Sequence, residues 1–561
     1  MRIRGQLRFL CSRSEGSCGA CAGTSVQSQV LEARTSMEEE AHAWFSKFLS
    51  QSVPRVRMYD PMSRSFPVDP EKVVELDYMS MCGLKTSELP EDIQSKVFTL
   101  LGQFGYKGDL ERFGKYLVAK YRSRACTETP RVLPSALIPE KAMTHHKTAL
   151  ERLLNSKGFA DLRQAMPELF DQDAAASVNS SYAQTAIANA NDEKHKTFQM
   201  FYSPGTAITY LAHRFPATFA ANFRVLMECF KRVPGLDPKR ILDYGSGPGV
   251  SGLAALKVWQ NEEGRSITCI EPSLNMQQIG KFLLADSKAQ INWQAGLYGV
   301  KGNFDLIISS YVLMEIRDQE SRDLLVQNLY SKLAPGGLLV IIDCGTPTGF
   351  RFIHRIRELF ILNQVQLNGH EKNWHIVAPC PHESACPLAH TGKDWCHFDQ
   401  RVQRLPHYLY SKGSRQKNSD FEKFSYLVIR KGPGPRDEYS CEADAPSSWE
   451  KSFFWPRIVM PAIKAGGHTL IDVCARPSNF ERLTVSKSKP HAFGYRFSRK
   501  IMWGDLWRYP KRLARRDARE SYTPEQVKNR LEILNEQAKN ATEEPNKFPE
   551  GRKLEEAFYG H

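Results

Sequence analysis

The nine residues Ile241-Leu-Asp243-Tyr-Gly245-Ser246-Gly247-Pro-Gly249 constrain the fold of this chain more than any others. A short apolar run that empties into a turn with three glycines in five residues marks a strand end. There the backbone takes positive φ and approaches a ligand with no Cβ in the way. Beyond it, apolar runs at 267–271, 291–294, 304–310 and 338–343 alternate with helical stretches after Ser273 and Asp318. Alternation at that spacing predicts an α/β fold, a parallel doubly wound sheet whose ligand crevice opens beside the glycine turn. Immediately upstream, TAITYLAHRFPATFAANFRVLMECFKRV (206–233) predicts one helix interrupted at Pro216.

Glu271 closes the second strand, twenty-eight positions after Asp243, where a carboxylate accepts both ribose hydroxyls of a nucleoside cofactor. A dinucleotide, by contrast, wants a helix N-terminus and a G-x-G-x-x-G run for its phosphates. The later Leu333-Ala-Pro335-Gly336-Gly337 before LLVIID is a turn that many class I methyltransferases place before their fifth strand. The pattern therefore resembles S-adenosylmethionine binding, with Asp243, Gly245, Ser246, Gly247, Gly249 and Glu271 as the cofactor set. Catalysis is a separate matter. Ser309, Ser310 and Tyr311 stand after the fourth strand, where base-directed methyltransferases carry a proline-rich Asn/Asp loop. That loop is missing, no cysteine nucleophile replaces it, and the residues support binding of the cofactor but not transfer of its methyl group.

A second chemistry begins near residue 380. Cys380, Cys386 and Cys396 lie in a polar loop with His382, His390 and His397, and two of the cysteines are followed or flanked by proline. Thiolates select zinc or iron-sulfur clusters, and inert cysteines usually sit in apolar elements instead. A tetrahedral site needs a fourth ligand. One of the three histidines would suit zinc locally, whereas Cys474, in the β-like run HTLIDVCA, would complete a four-cysteine set if the C-terminal part folds back onto the loop. The residues alone leave both open.

Length and charge set the rest. At 561 residues the chain holds several folding units, and no run of about twenty apolar residues predicts a membrane span. The formal charge is +14, and residues 476–519 hold thirteen Lys or Arg against three Asp or Glu. Such a run is either a solvated face or a surface for a polyanion, RNA rather than DNA. Its aromatics Phe493, Tyr495, Phe497, Trp503, Trp507 and Tyr509 either stack bases or fill a small β core. Thirteen cysteines and no secretory signal point to a reducing compartment. The Arg-rich, acid-poor start, residues 1–36, reads as an organelle transit peptide, in which Cys18 and Cys21 carry no meaning.

Taken together, SPGTAITYLAHRFPATFAANFRVL, ILDYGSGPG, the loop APCPHESACPL with WCHF and QRVQR, and the late YRFSRKIMWGDLW resemble the methyltransferase-like protein 17 family. These are mitochondrial small ribosomal subunit assembly factors related to the fungal mitochondrial small-subunit protein 22, and the resemblance runs from about residue 202 to 507. It implies a matrix protein that binds small-subunit ribosomal RNA and ribosomal proteins. It also implies a [4Fe-4S] cluster on Cys380, Cys386, Cys396 and Cys474, with doubtful methyl transfer. The expected organisation is a helical N-terminal domain (37–200), a class I methyltransferase-like domain (201–370) and a cysteine-rich metal-binding insertion (371–423). A last sheet strand and linker (424–448), a basic β-rich RNA-binding domain built as a small barrel (449–519) and a C-terminal helix and tail (520–561) follow. A working RNA methyltransferase and a permanent ribosomal protein are the alternatives.

Overall fold

The computed structural model describes residues 76, 78–102, 114, 202 and 204–509, except 317, 363–371, 390, 392–393, 406–418 and 488–491. All belong to one of the two units into which the chain divides, 68–561. The expected transit peptide, the Ala/Asn-rich stretch near 173–191, most of the N-terminal helical domain and the C-terminal helix lie outside these residues, as does His390.

The alternation becomes an eight-stranded sheet. Its strands are β1 (Arg240–Tyr244), β2 (Ser266–Ile270), β3 (Gln290–Gln294), β4 (Phe304–Ser310), β5 (Leu333–Cys344), β6 (Trp374–Ala378), β7 (Phe398–Gln403) and β8 (Ser419–Lys431). The order is β3-β2-β1-β4-β5-β8-β6, with β7 also paired to β8. Strands β1 to β5 are parallel, in registers such as Ile241↔Ile267 and Leu242↔Ile307. Strand β8 enters antiparallel between β5 and β6, with Ile341 opposite Leu427 and Ile376 opposite Ile429. Reversal of order around β1 and β4 makes the switch point at which doubly wound sheets take ligands. This mixed sheet is the Rossmann-like methyltransferase α/β fold expected above, and the late strand does rejoin it. The segment expected as the fifth-strand turn is instead the start of β5, entered through an irregular register between Phe304 and Leu306.

Helices cover both faces. The predicted interrupted helix forms α2 (Pro204–His213) and α3 (Phe215–Arg232), broken at Arg214 so that Pro216 falls in the first turn of α3. There its missing N–H costs nothing. An earlier helix, α1 (Glu91–Gly102), buries Ile93, Val97, Leu100 and Leu101 against the same core. Helices α4 (Val250–Val258), α5 (Leu274–Leu283), α6 (Gln319–Ser331) and α7 (Pro347–Ile361) follow their strands. The side chains of Ser273, Asp318 and Thr346 cap the last three of these by accepting from backbone N–H groups.

The C-terminal part departs from expectation. It is not a barrel but a four-stranded antiparallel sheet of β9 (Arg457–Ile458), β10 (Ile463–Lys464), β11 (His468–Ala475) and β12 (Asn479–Ser486). Within residues 449–519, expected to be β-rich, Ala492–Ser498 forms a helix, α8. Phe493, Phe497 and Ile501 recur at four-residue spacing, a helical period. Phe497, Ile501 and Trp507 close the core with Ile458, Ile471, Val473 and Leu483. The aromatic run thus fills a core: Phe497, Trp507 and Tyr509 form a packed triangle of rings 5.2 to 6.2 Å apart.

Candidate functional site

Two sites emerge. At the glycine turn, Gly245, Gly247 and Gly249 have φ of +71, +55 and +78°. A Cβ on Gly245 would meet Val312 Cγ2 at 2.3 Å, whereas one on Gly247 would meet nothing within 4 Å. Gly247 therefore needs no space of its own and faces an open cradle. Glu271 spans the turn: Oε2 accepts the Gly247 N–H at 3.0 Å and Oε1 accepts the Ser273 N–H at 2.8 Å. Burial pushes its carboxyl up to about 8. Asp243 lies deeper. It is fully buried, its Oδ2 accepts the Gly252 N–H at 2.9 Å at the start of α4, and burial raises its carboxyl to about 7. Ser246 is buried, and its backbone N–H donates to the Ile270 carbonyl. The six predicted residues thus gather at one strand end, Asp243 as a helix anchor and Glu271 as the carboxylate beside the cradle.

The residues after β4 are internally engaged. Tyr311 has φ +60°, rare for a bulky side chain, and its hydroxyl donates to Glu422 Oε1 at 2.8 Å. Arg214 grips the same carboxylate with two bonds of 2.9 and 2.8 Å and lies 5.4 Å from the Tyr311 ring centre. Ser310 accepts from Asn222 at 2.9 Å. Sequence reading did not find this Arg214–Glu422–Tyr311 cluster, because its members come from α2's exit, β8 and β4's end.

The second site is a cavity of about 30 Å³ lined by Cys380, Cys386, Cys396 and Cys474 together with His382, Arg357 and Arg457. Cys380 follows β6, Cys386 lies in the loop, Cys396 precedes β7 and Cys474 comes from β11. The four predicted thiols therefore meet across the two sheets. Burial raises the Cys386, Cys396 and Cys474 thiols, Cys386 to about 11, and their negative neighbours raise them further while Arg357 or Arg457 pulls them down. Among the described residues no three His, Cys, Asp or Glu side chains gather tightly enough to hold one ion. His382 Nε2 stands 3.3 Å from Cys474 Sγ. His397 is turned away, its Nδ1 3.0 Å from the Trp395 carbonyl and its ring between Trp395 and Trp503.

Polar anchors bind the loop to the small sheet. Arg457, register partner of Cys474, donates from Nε to the Pro379 carbonyl at 2.8 Å and from Nη1 to the Gly504 carbonyl at 2.6 Å. Its Nη2 meets Glu228 Oε1 at 2.5 Å, and Tyr426 donates to Glu228 Oε2 at 2.7 Å. Although burial alone would raise it, Arg457 and Arg232 hold the Glu228 carboxyl at about 2. Ser478 donates to the Ala385 carbonyl at 2.5 Å. None of these anchors carries a sequence signal; of the pocket's two arginines Arg357 does, as a cation set on the apolar stripe Phe350, Ile353, Phe360 of α7.

A doubly wound sheet with a glycine-turn crevice, joined to a small sheet across a cysteine-lined pocket, defines a methyltransferase-like fold with a second, thiol-rich centre. The chain belongs to the family described as mitochondrial small ribosomal subunit Rsm22, whose model matches residues 204–508, more than half of the sequence. It is similar to the "Rsm22-cox11 tandem protein 2, mitochondrial" of Schizosaccharomyces pombe, 30% identical over 324 residues, 54% of this chain and 43% of that protein. The human "Ribosome assembly protein METTL17, mitochondrial" is 27% identical over 317 residues, 55% of this chain and 64% of that protein. The Saccharomyces cerevisiae "Ribosome assembly protein RSM22, mitochondrial" is 23% identical, over 53% of this chain and 66% of its own length. The chain thus spans less than two thirds of each of these relatives. Among the described residues no helix is long and apolar enough to cross a membrane.

Proposed function

We propose that this chain is a mitochondrial factor that assembles the small ribosomal subunit by binding its ribosomal RNA. Its scaffold is a methyltransferase-like fold with an S-adenosylmethionine crevice at Gly245, Gly247, Gly249 and Glu271, and Cys380, Cys386, Cys396 and Cys474 hold a [4Fe-4S] cluster. The observation that carries this reading is the meeting of four thiols from two separate sheets at one buried pocket. The donor set fits: a single zinc holds its sulfurs at 2.3 Å and so about 3.8 Å from one another. Four thiolates are equally the donor set of a [4Fe-4S] cluster, in which each binds its own iron. The family's assembly role and the mitochondrial relatives support the partner and the compartment.

When bound, the cluster would supply a rigid cross-link rather than a reaction. Cys474, Arg457 and Ser478 already tie the loop to the small sheet, whose exposed Lys464, Lys487, Arg496, Arg499 and Lys500 offer cations for phosphate. The Arg214–Glu422–Tyr311 cluster favours binding over methyl transfer, because it engages Tyr311 with its own neighbours.

The test is sedimentation of the tagged full chain from mitochondria with crosslinking to RNA. Association with small-subunit precursors and crosslinks to their RNA are expected. Co-sedimentation with mature translating ribosomes instead would favour a permanent ribosomal protein. Methyl incorporation into that RNA, lost in a Gly247→Trp chain that still binds RNA, would favour the enzyme.

A further inference from the structure

Two guanidinium groups line the cysteine pocket, and they are placed differently. Arg457 has a counterion: its Nε, Nη1 and Nη2 donate to Pro379, Gly504 and the ionised Glu228. Arg357, on α7, is also buried, at 3% exposure, and its ion pair is with its chain neighbour Glu358. Its Nη2 donates to the Ser384 carbonyl at 2.5 Å and to the His382 carbonyl at 3.2 Å. Its Nη1 donates to Glu358 Oε1 at 3.2 Å, and burial pushes that carboxyl up while Arg357 pulls it down. Its Nε is buried with no hydrogen-bond partner. The Cys380 and Cys386 sulfurs are the other groups that would steady its charge, and Cys380 lies within its hydrogen-bonding reach.

Burying a net negative centre is costly unless a cation or donated hydrogen bonds meet it. Donors and positive charge close to thiolate sulfur also make a cluster easier to reduce. The loop that Arg357 grips, His382 to Ser384, is the link between Cys380 and Cys386. One side chain therefore touches both the geometry and the charge of the centre.

We propose that Arg357 is a positioning residue for the four-cysteine centre, bracing the Cys380–Cys386 loop through two carbonyls and supplying the positive charge that thiolate ligands require in a buried pocket. The proposal rests on the cluster reading above. It extends to a role that Arg457, already paired with Glu228, does not fill.

The experiment compares the full chain with Arg357→Met and Arg357→Lys, each purified anaerobically. Iron, sulfide and zinc content, the rate of metal release to a chelator and the midpoint potential are measured. Arg357→Met should release iron roughly tenfold faster, as for lost partners of metal ligands, and shift the midpoint to more negative values. Arg357→Lys keeps the charge but not the fork, so its midpoint should stay with the parent's while its release still quickens. Parent-like release and midpoint in Arg357→Met would overturn the proposal. If Arg357→Met does not accumulate as folded chain, Arg357→Lys decides, and release at the parent's rate overturns it. A parent with zinc and no sulfide overturns the cluster reading alone. Faster zinc release from the variants would then support the bracing role, and equal release would overturn it. A parent with no metal overturns both.

Discussion

The glycine-turn crevice and the cysteine pocket lie on the same chain but are stabilised in opposite ways. The crevice is assembled from residues close in sequence, Asp243 to Glu271, and its carboxylate satisfies itself on the Gly247 and Ser273 N–H groups. The pocket draws on α7, the loop after β6 and a strand of another sheet, and it leaves a buried guanidinium and four thiols facing one another. A self-satisfied site persists without its ligand, whereas a site of mutually repelling or unpaired groups depends on what joins them. The difference predicts that changes at the pocket reach the whole C-terminal half, while changes at the crevice stay local.

The largest effect should come from Cys474→Ser. It is expected to remove most of the bound metal and about 5 kcal/mol of stability, a fraction of what a full structural metal site supplies. Metal analysis and urea unfolding check this, and a metal-loaded, equally stable variant would dissolve the contrast. Next is Glu228→Gln, which leaves Arg457 and Arg232 buried without their carboxylate and should cost about 3 kcal/mol by urea unfolding at pH 7. The sign follows from a folded value of about 2, below the ordinary 4.5. Its stabilisation is present above about pH 4.5 and is lost as pH falls toward 2, so the variant should lack that acid limb.

Glu271→Gln should act more gently and in the other direction with pH. Its folded value of about 8 lies above the ordinary 4.5, so the folded state holds a proton that the unfolded chain has lost. Stability from this group is full below about pH 4.5 and declines as pH rises toward 8. The variant should melt about 2–4 °C higher than the parent at pH 8 and show a smaller decline between pH 5 and 8. It should also bind S-adenosylmethionine roughly tenfold more weakly, since one of its two acceptor oxygens is lost. The smallest effect is expected for Gly247→Ala, which meets no neighbour but must hold φ at +55°. About 1 kcal/mol of destabilisation in thermal melts, with the cysteine centre's metal unchanged, would mark it as local.

How much of this could be read from the sequence follows the same divide. Strand and helix periods are local properties, so β1 to β5 and the return of β8 were legible, and the glycine turn with Glu271 named the crevice. The small sheet was misjudged where Phe493, Phe497 and Ile501 repeat every four residues, a helical period inside a β-like context. Cys380, Cys386 and Cys396 stand close enough to be noticed together, but Cys474 lies far along the chain in β11, and the residues left it open against the histidines until the family resemblance chose it. Arg457 and Glu228 are brought together by tertiary packing of α3 against β9, which leaves no mark in either local sequence. Arg357 did leave one, a charge on an apolar helical stripe, which is the pattern to search for beside buried centres.

The measurement that tests the account most directly is iron, sulfide and zinc content of the full chain purified without oxygen, together with titration of its thiols before and after unfolding. The account predicts about four iron and four sulfide per chain, with Cys380, Cys386, Cys396 and Cys474 unreactive until the chain unfolds. Metal-free protein whose four cysteines react freely in the folded state would contradict it.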